Sequence, residues 1–205
     1  MLKKCILAII ACFLWVQGSQ ADNVDPQQAQ AFMNEIGETV INLLTNKSIS
    51  DQDRAQEFQK ILESSFDIKA AGKFVLGRYW NQASDGQKQH FLELFKATTV
   101  ASYATRFKEY TSERFDITGS RIEGDGGVTV LSNIVRPQGD PISIGWKIFT
   151  DKNGNMRIYD VILEGISMGI TLRSEYASVI QQGGGTIQAL IDALEKKMIA
   201  FQETH

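Results

Sequence analysis

The chain has 205 residues, a formal charge of −3 and 43% hydrophobic residues with only three prolines, which supplies one folded domain with a core and excludes a disordered chain. The acidic balance excludes a protein that holds nucleic acid through a basic footprint.

The first 21 residues read as a secretory signal peptide. MLKK is a short basic segment, Cys5 to Val16 an apolar run too short to span a bilayer, and Ser19-x-Ala21 a small-x-small cleavage pattern. Ile9 to Cys12 loosely resembles a lipoprotein signal, but cleavage there would leave FLWV on the mature end. Both cysteines, Cys5 and Cys12, fall in the leader. The expected mature domain, 22–205, therefore has no disulfide, thiol nucleophile or cysteine-bound metal. Loss of Lys3 and Lys4 takes its charge from −3 to −5.

Helical signals come first. Asp25, Pro26 and Gln28 open a helix whose apolar residues run from Ala29 through Phe32, Met33 and Ile36 to Leu44. Ser50 with Asp53 opens a second helix. A short one is expected over Ile68 to Tyr79. Ser84 with Gln87 forms a capping box for a long helix carrying Phe91, Phe95, Tyr103 and Phe107. The period then changes to two. ERFDITGSRI, GVTVLSNIVR, PISIGWKIFT and MRIYDVILEG are strand-like runs separated by EGDGG, PQGD and DKNGN. Three short connections imply an antiparallel meander of four strands. Two helices, near 169–182 and 186–200, close the chain across Gly183-Gly184-Gly185. The fold class is α+β, with N-terminal helices, a four-stranded meander and C-terminal helices.

Catalytic groups are scarce. Asp160 and Glu164 read as sharing one face of the last strand about 13 Å apart, beyond the roughly 5–9.5 Å of glycosidase carboxylate pairs. They read instead as solvated or cap-forming groups at a strand end, opposite a buried face of Tyr159, Val161 and Leu163. His90 stands alone on a helix and His205 is terminal; no H-E-x-x-H, G-x-S-x-G or P-loop occurs. No cofactor or metal is expected.

Apolar surface is abundant. Phe74, Leu76, Tyr79, Trp80, Phe91, Phe95 and Tyr103 cluster in the central helices. Val128 and Val130 share one strand face, and Ile144, Trp146 and Ile148 another. Tyr159, Val161 and Leu163 continue on the last strand, with Ile166 and Met168 at the start of the next helix. These stripes fill a solid core or line an apolar pocket, and periodicity does not separate the two.

Val75 to Tyr110, with Leu76-Gly77-x-Tyr79-Trp80, Ala83-Ser84, Gln87 and the aromatic helix that follows, resembles the MlaC-type periplasmic phospholipid-binding proteins, also called the toluene-tolerance family. YDVILEGISM, NIVRPQGDPISIGWKI and the Gly-rich break before the last helix resemble the same family, which covers roughly 25–200. The resemblance implies a nuclear-transport-factor-2-like cone with acyl chains between sheet and helices, the apolar residues above being the candidate lining. It implies a monomeric, non-enzymatic periplasmic carrier of phospholipid. Its partners would be an inner-membrane ABC transporter complex and an outer-membrane lipoprotein–porin complex, as part of a system that maintains membrane lipid asymmetry. Carriage of hopanoid or another lipid, an enzyme on a similar cone using Asp160 or Tyr159, and a plain interaction module with a filled core are the alternatives.

Overall fold

The computed structural model describes residues 24–104 and 113–203. The expected leader and its cleavage site, Phe107, Tyr110 and His205 lie outside the described residues.

Four helices precede the sheet: α1 (Pro26–Thr45), α2 (Asp51–Ser65), α3 (Ile68–Leu76) and α4 (Asp85–Ala104). Local chemistry sets their ends. The Asp25 carboxylate accepts the Gln27 N–H, with Pro26 in the first helical position. Ser50 Oγ accepts the Asp53 N–H, and Asp67 caps α3 through the Ala70 N–H. The Ser84–Gln87 box closes reciprocally, Gln87 N–H to Ser84 Oγ and Ser84 N–H to Gln87 Oε1. Gly77, at φ +52°, stops α3, and the expected helix to Tyr79 continues as a 3₁₀ turn over Gly77–Asn81.

The sheet has five strands in sequential antiparallel order, β1 (Arg114–Ile122), β2 (Val128–Val135), β3 (Ile142–Thr150), β4 (Met156–Leu163) and β5 (Ile166–Ser167). The meander is as read from the turns, with one addition. Beyond Glu164-Gly165, both at positive φ, the chain doubles back so that Ile166 pairs with Leu163 and Ser167 with Ile162. At the other end of the same edge Phe66 bridges Ile158, and the Asp67 N–H donates to the Ile158 carbonyl. The β4 edge is thus covered at both ends. Helices α5 (Met168–Gln182) and α6 (Ile187–Glu203) follow, parted at the expected glycines.

Two packed regions result. One sheet face carries Val128, Val130, Ile148 and Ile158, all fully buried, beneath Val24, Ala29 and Met33 of the α1 region. Helix α1 lies across β1 and β2. Gly37 lets it settle directly on the Phe115 ring, space that a Cβ would fill. The second region is helical. Val75, Leu76, Tyr79, Phe91, Phe95, Ile180, Leu190, Ile191 and Leu194 join α3, α4, α5 and α6.

Candidate functional site

The expected lining residues divide between these regions. Leu76, Tyr79, Phe91 and Phe95 are buried in the helical core, with Trp80 packed against it. Val128, Val130 and Ile148 are buried in the sheet core, with Trp146 and Val161 on its margin. Ile144 is also buried, while Met168 is half-buried. Phe74, Tyr103, Leu163 and Ile166 are exposed.

Register explains the gradient. Val128 faces Ile148, Val130 faces Trp146, Ser132 faces Ile144, and beyond them Trp146 faces Val161 and Ile144 faces Leu163. Helix α1 covers the β1–β2 half of this apolar face. Toward the Leu163 end of β4 and β5 the cover thins, from zero exposure at Val130 to 37% at Leu163 and 60% at Ile166, while Ile158 at the other end of β4 stays fully buried. Trp146 marks the boundary. Its indole N–H donates to Ser132 Oγ at 2.8 Å, and its ring meets Phe115 edge-on at 6.2 Å between centroids. The ring is therefore fixed in direction while its flank is open.

Tyr159 departs from the expected face. A bulge in β4 sets Ile158 opposite Ile148 and Asp160 opposite Lys147, leaving Tyr159 as the extra residue. Its ring packs edge-on against Phe149, whose side of the sheet is opposite to that of Ile148 and Val161. Burial, and then the charges of Asp125, Glu123 and Asp160, push its phenol above the ordinary range.

Asp160 and Glu164 do not form a pair, as their spacing predicted. Asp160 accepts from the Ser167 hydroxyl at 2.7 Å and from the Val161 and Gly169 N–H groups at 2.9 and 3.0 Å. It is a strand carboxylate that caps the start of α5. Glu164, at φ 49°, sits in the β4–β5 turn rather than on the strand, and its carboxylate takes the Ser143 N–H at 2.5 Å. His90 Nε2 lies 3.2 Å from Glu195 across α4 and α6, both side chains about half exposed at 46% and 45%.

Two cavities open elsewhere. One, of about 420 Å³, lies between Glu63, Asp67, Glu93, Lys96, Asp151 and Arg157 with Phe66, Ile68, Gln89 and Leu92. Two of its carboxylates, Glu63 and Asp151, have cationic partners, while Asp67 caps α3 and Glu93 accepts from Gln89. The Lys96 ammonium holds the Glu63 carboxyl below the usual range, and Arg157 reaches Asp151 at 3.3 Å and the Ser64 carbonyl. The other, of about 270 Å³, separates α1 from α2 at Phe32, Ile36, Ile61 and Ser64. None of the seventeen expected lining residues borders either cavity. Among the described residues no group of three or more His, Cys, Asp or Glu is placed to hold a metal, and no helix is long and apolar enough to cross a membrane.

The contribution of α1 was not anticipated for the site. Phe32, Ile36, Phe115 and Ile117 border the sheet core. The apolar stripe of α1 was visible in the sequence, but nothing in it names the sheet face it covers.

Residues 34–196, most of the chain, match the family described as MlaC protein. The chain belongs to the MlaC family. It is 26% identical over 135 residues to the intermembrane phospholipid transport system binding protein MlaC of Haemophilus influenzae, a match spanning 64% of this chain and 60% of that protein. To the toluene tolerance protein ttg2D of Pseudomonas putida it is 22% identical over 134 residues, 65% of this chain and 62% of the relative. The matched stretch thus covers about three fifths of each relative. The fold agrees with that of a phospholipid-binding protein from Ralstonia solanacearum solved in complex with a phospholipid: TM-score 0.74, 21% identity, 85% of this chain and 98% of that one. These likenesses accord with the MlaC-type resemblance carried by Val75–Tyr110 and YDVILEGISM.

Proposed function

We propose that residues 22–205, after loss of the 1–21 leader on export, form a periplasmic phospholipid carrier. Acyl chains enter along the half-covered strip of Trp146, Val161, Leu163 and Ile166 and advance beneath α1. The carrier passes lipid between an outer-membrane lipoprotein–porin complex and an inner-membrane ABC transporter complex, as a monomer and without chemistry on the lipid.

The observation that carries this reading is the exposure gradient on the inner sheet face, from fully buried Val130 to open Leu163 and Ile166, in a fold that a phospholipid-bound protein shares. Each buried CH₂ is worth about 0.8 kcal/mol, so a sixteen-carbon chain needs about 13 kcal/mol of shelter from water. A protein strip that opens to give similar shelter leaves exchange with a bilayer near neutral, which suits a carrier. The strip leads to the fully buried Val128 and Val130, which α1 covers, so loading requires α1 to lift from the β1–β2 half of the sheet.

Organic extraction of freshly purified protein, followed by lipid mass spectrometry, tests the reading. Co-purified phospholipid is expected, and native mass spectrometry should show it bound to the monomer. A lipid-free protein that also takes up nothing from phospholipid vesicles would overturn it.

A further inference from the structure

The exposed side of α3 meets the first turns of α5 in a small surface that is cationic on a chain of net negative charge. The Arg173 guanidinium lies 5.4 Å from the centroid of the Phe74 ring. It also presses against Gly77, where a Cβ would fall 2.8 Å from one of its nitrogens, and the φ of +52° at Gly77 disfavours any side chain there. The cation is therefore held in place by packing, while its N–H donors make no hydrogen bond or ion pair among the described residues. Lys69 and Lys73 are exposed one turn apart on α3, Lys73 one turn before the Gly77 that Arg173 presses against, and they make no hydrogen bond or ion pair among the described residues. Asp160, the carboxylate that touches this end of α5, directs its oxygens to the Val161, Ser167 and Gly169 donors and makes no ion pair with these three cations, whose summed charge exceeds its own.

Apolar surface adjoins these cations. Phe74 is 43% and Ile170 59% exposed, and a Cβ on Gly169 would touch the Phe74 ring, so the two helices join there. Ile166, which starts the lipid strip described above, lies three residues before Gly169. An oriented guanidinium with free donors, flanked by ammonium groups and bordered by exposed apolar side chains, matches an amphiphile that carries a phosphate next to its hydrocarbon.

The geometry points to Arg173, with Lys73 and Lys69, as the seat of the headgroup phosphate of a bound glycerophospholipid. The assignment rests on the carrier reading and adds to it the part of the ligand that the protein selects. A planar donor fork set against an aromatic ring is pre-organised for two phosphate oxygens, and the lysines add charge without a fixed direction.

The test offers lipid-free protein phosphatidylcholine vesicles that carry a minority of diacylglycerol with the same acyl chains. The ratio of the two lipids captured, corrected for vesicle composition, is read by mass spectrometry. Wild type should enrich phospholipid about tenfold, the worth of one charge-assisted hydrogen bond. Arg173→Gln should bring the ratio near parity while diacylglycerol capture stays unchanged, and Arg173→Lys should keep part of the enrichment. Lys73→Gln reads the same ratio through a second group should Arg173→Gln fail to fold. An unchanged ratio in both Gln variants, or a wild type that captures both lipids without preference, overturns the phosphate seat and leaves the carrier reading standing. A wild type that captures neither lipid overturns both. A parallel titration with inorganic phosphate, followed by ³¹P NMR, separates the two sources of phosphate. Saturable binding of the free ion that is lost in Arg173→Gln, with no enrichment of phospholipid, would assign the site to a free oxyanion and overturn the headgroup proposal.

Discussion

The helical core and the sheet core draw on similar apolar residues but are built to different tolerances. In the helical core large rings lock one another: Phe91 and Phe95 stack with centroids 5.7 Å apart, and Tyr176 meets them edge-on at 6.1 and 6.4 Å. Four helices enclose that cluster, so no side chain can leave without opening a void. The sheet core is mostly aliphatic and covered by one helix, α1, over only part of its width. Its burial declines toward the Leu163 end of β4 and β5 instead of ending at a wall. Similar apolar stripes are therefore closed on all sides in one place and left partly open in the other. What separates the two is the number of elements that close over the stripe.

The largest effect should come from the scaffold side. Phe91→Ala removes a fully buried ring from the stack and should destabilise the protein by about 3–5 kcal/mol. Leu163→Ala, at 37% exposure on the open strip, should cost below about 1 kcal/mol. Urea denaturation of lipid-free samples compares them directly, because bound lipid would itself raise the apparent stability. Equal losses would mean that the strip is ordinary core.

Alkaline pH sharpens the same contrast. Burial, and then the neighbouring Glu175 charge, push the Tyr176 phenol up to about 12, against about 10 in an unfolded chain. The neutral phenol is what the fold accommodates, so the unfolded state loses its proton first. The contribution of Tyr176 is intact below pH about 10 and is lost as the pH rises toward about 12, by an order of about 3 kcal/mol. Tyr176→Phe should leave stability near neutral pH little changed and remove most of that alkaline decline. A variant that declines in parallel with wild type would place the phenol in contact with water.

Within the sheet core two overpacking probes distinguish its halves. Val130 is fully buried under α1 and faces Trp146, so Val130→Trp should cost about 1–3 kcal/mol in lipid-free protein. Val161 lies on the margin, and Val161→Trp should be nearly neutral for folding while lowering phospholipid uptake several-fold, because the ring occupies the strip. A Val161→Trp protein that unfolds early yet loads normally would reverse the assignment of the two halves.

Local features were legible because local sequence decides them. Asp25-Pro26, Ser50 with Asp53 and Ser84 with Gln87 cap helices as their side-chain chemistry requires. The alternation from Arg114 to Leu163 marks four strands, and the turn residues between them impose the meander. What escaped depends on partners distant in the chain. The bulge that turns Tyr159 toward Phe149 exists only against β3. Two residues are too few for β5 to show a period. The stripe of α1 reads as amphipathic without saying which face it meets, and the division of one apolar list into two cores is invisible to periodicity. Phe74 was counted with Phe91 as lining, although a glycine contact and an arginine hold it at the surface.

The smallest expected effect lies at the joint between the two regions. Asp160 belongs to β4, yet its carboxylate accepts the Gly169 N–H at the start of α5 and the hydroxyl of Ser167, which itself caps the Ile170 N–H at 3.1 Å. One side chain thereby ties the last long strand of the sheet core to a helix of the helical core. Asp160→Asn keeps the size and one acceptor oxygen but removes the charge that favours a helix N-terminus, and should cost about 1 kcal/mol. If the joint only caps a helix, amide exchange should quicken in the first turn of α5 and nowhere else. If it couples the cores, exchange should quicken in β4 and β5 as well, and phospholipid uptake should change in the same variant, since Leu163 and Ile166 lie on that segment. Hydrogen exchange read residue by residue decides between them. Protection lost only over Met168 to Leu172 would leave the two regions mechanically independent, so that α1 alone controls opening of the strip.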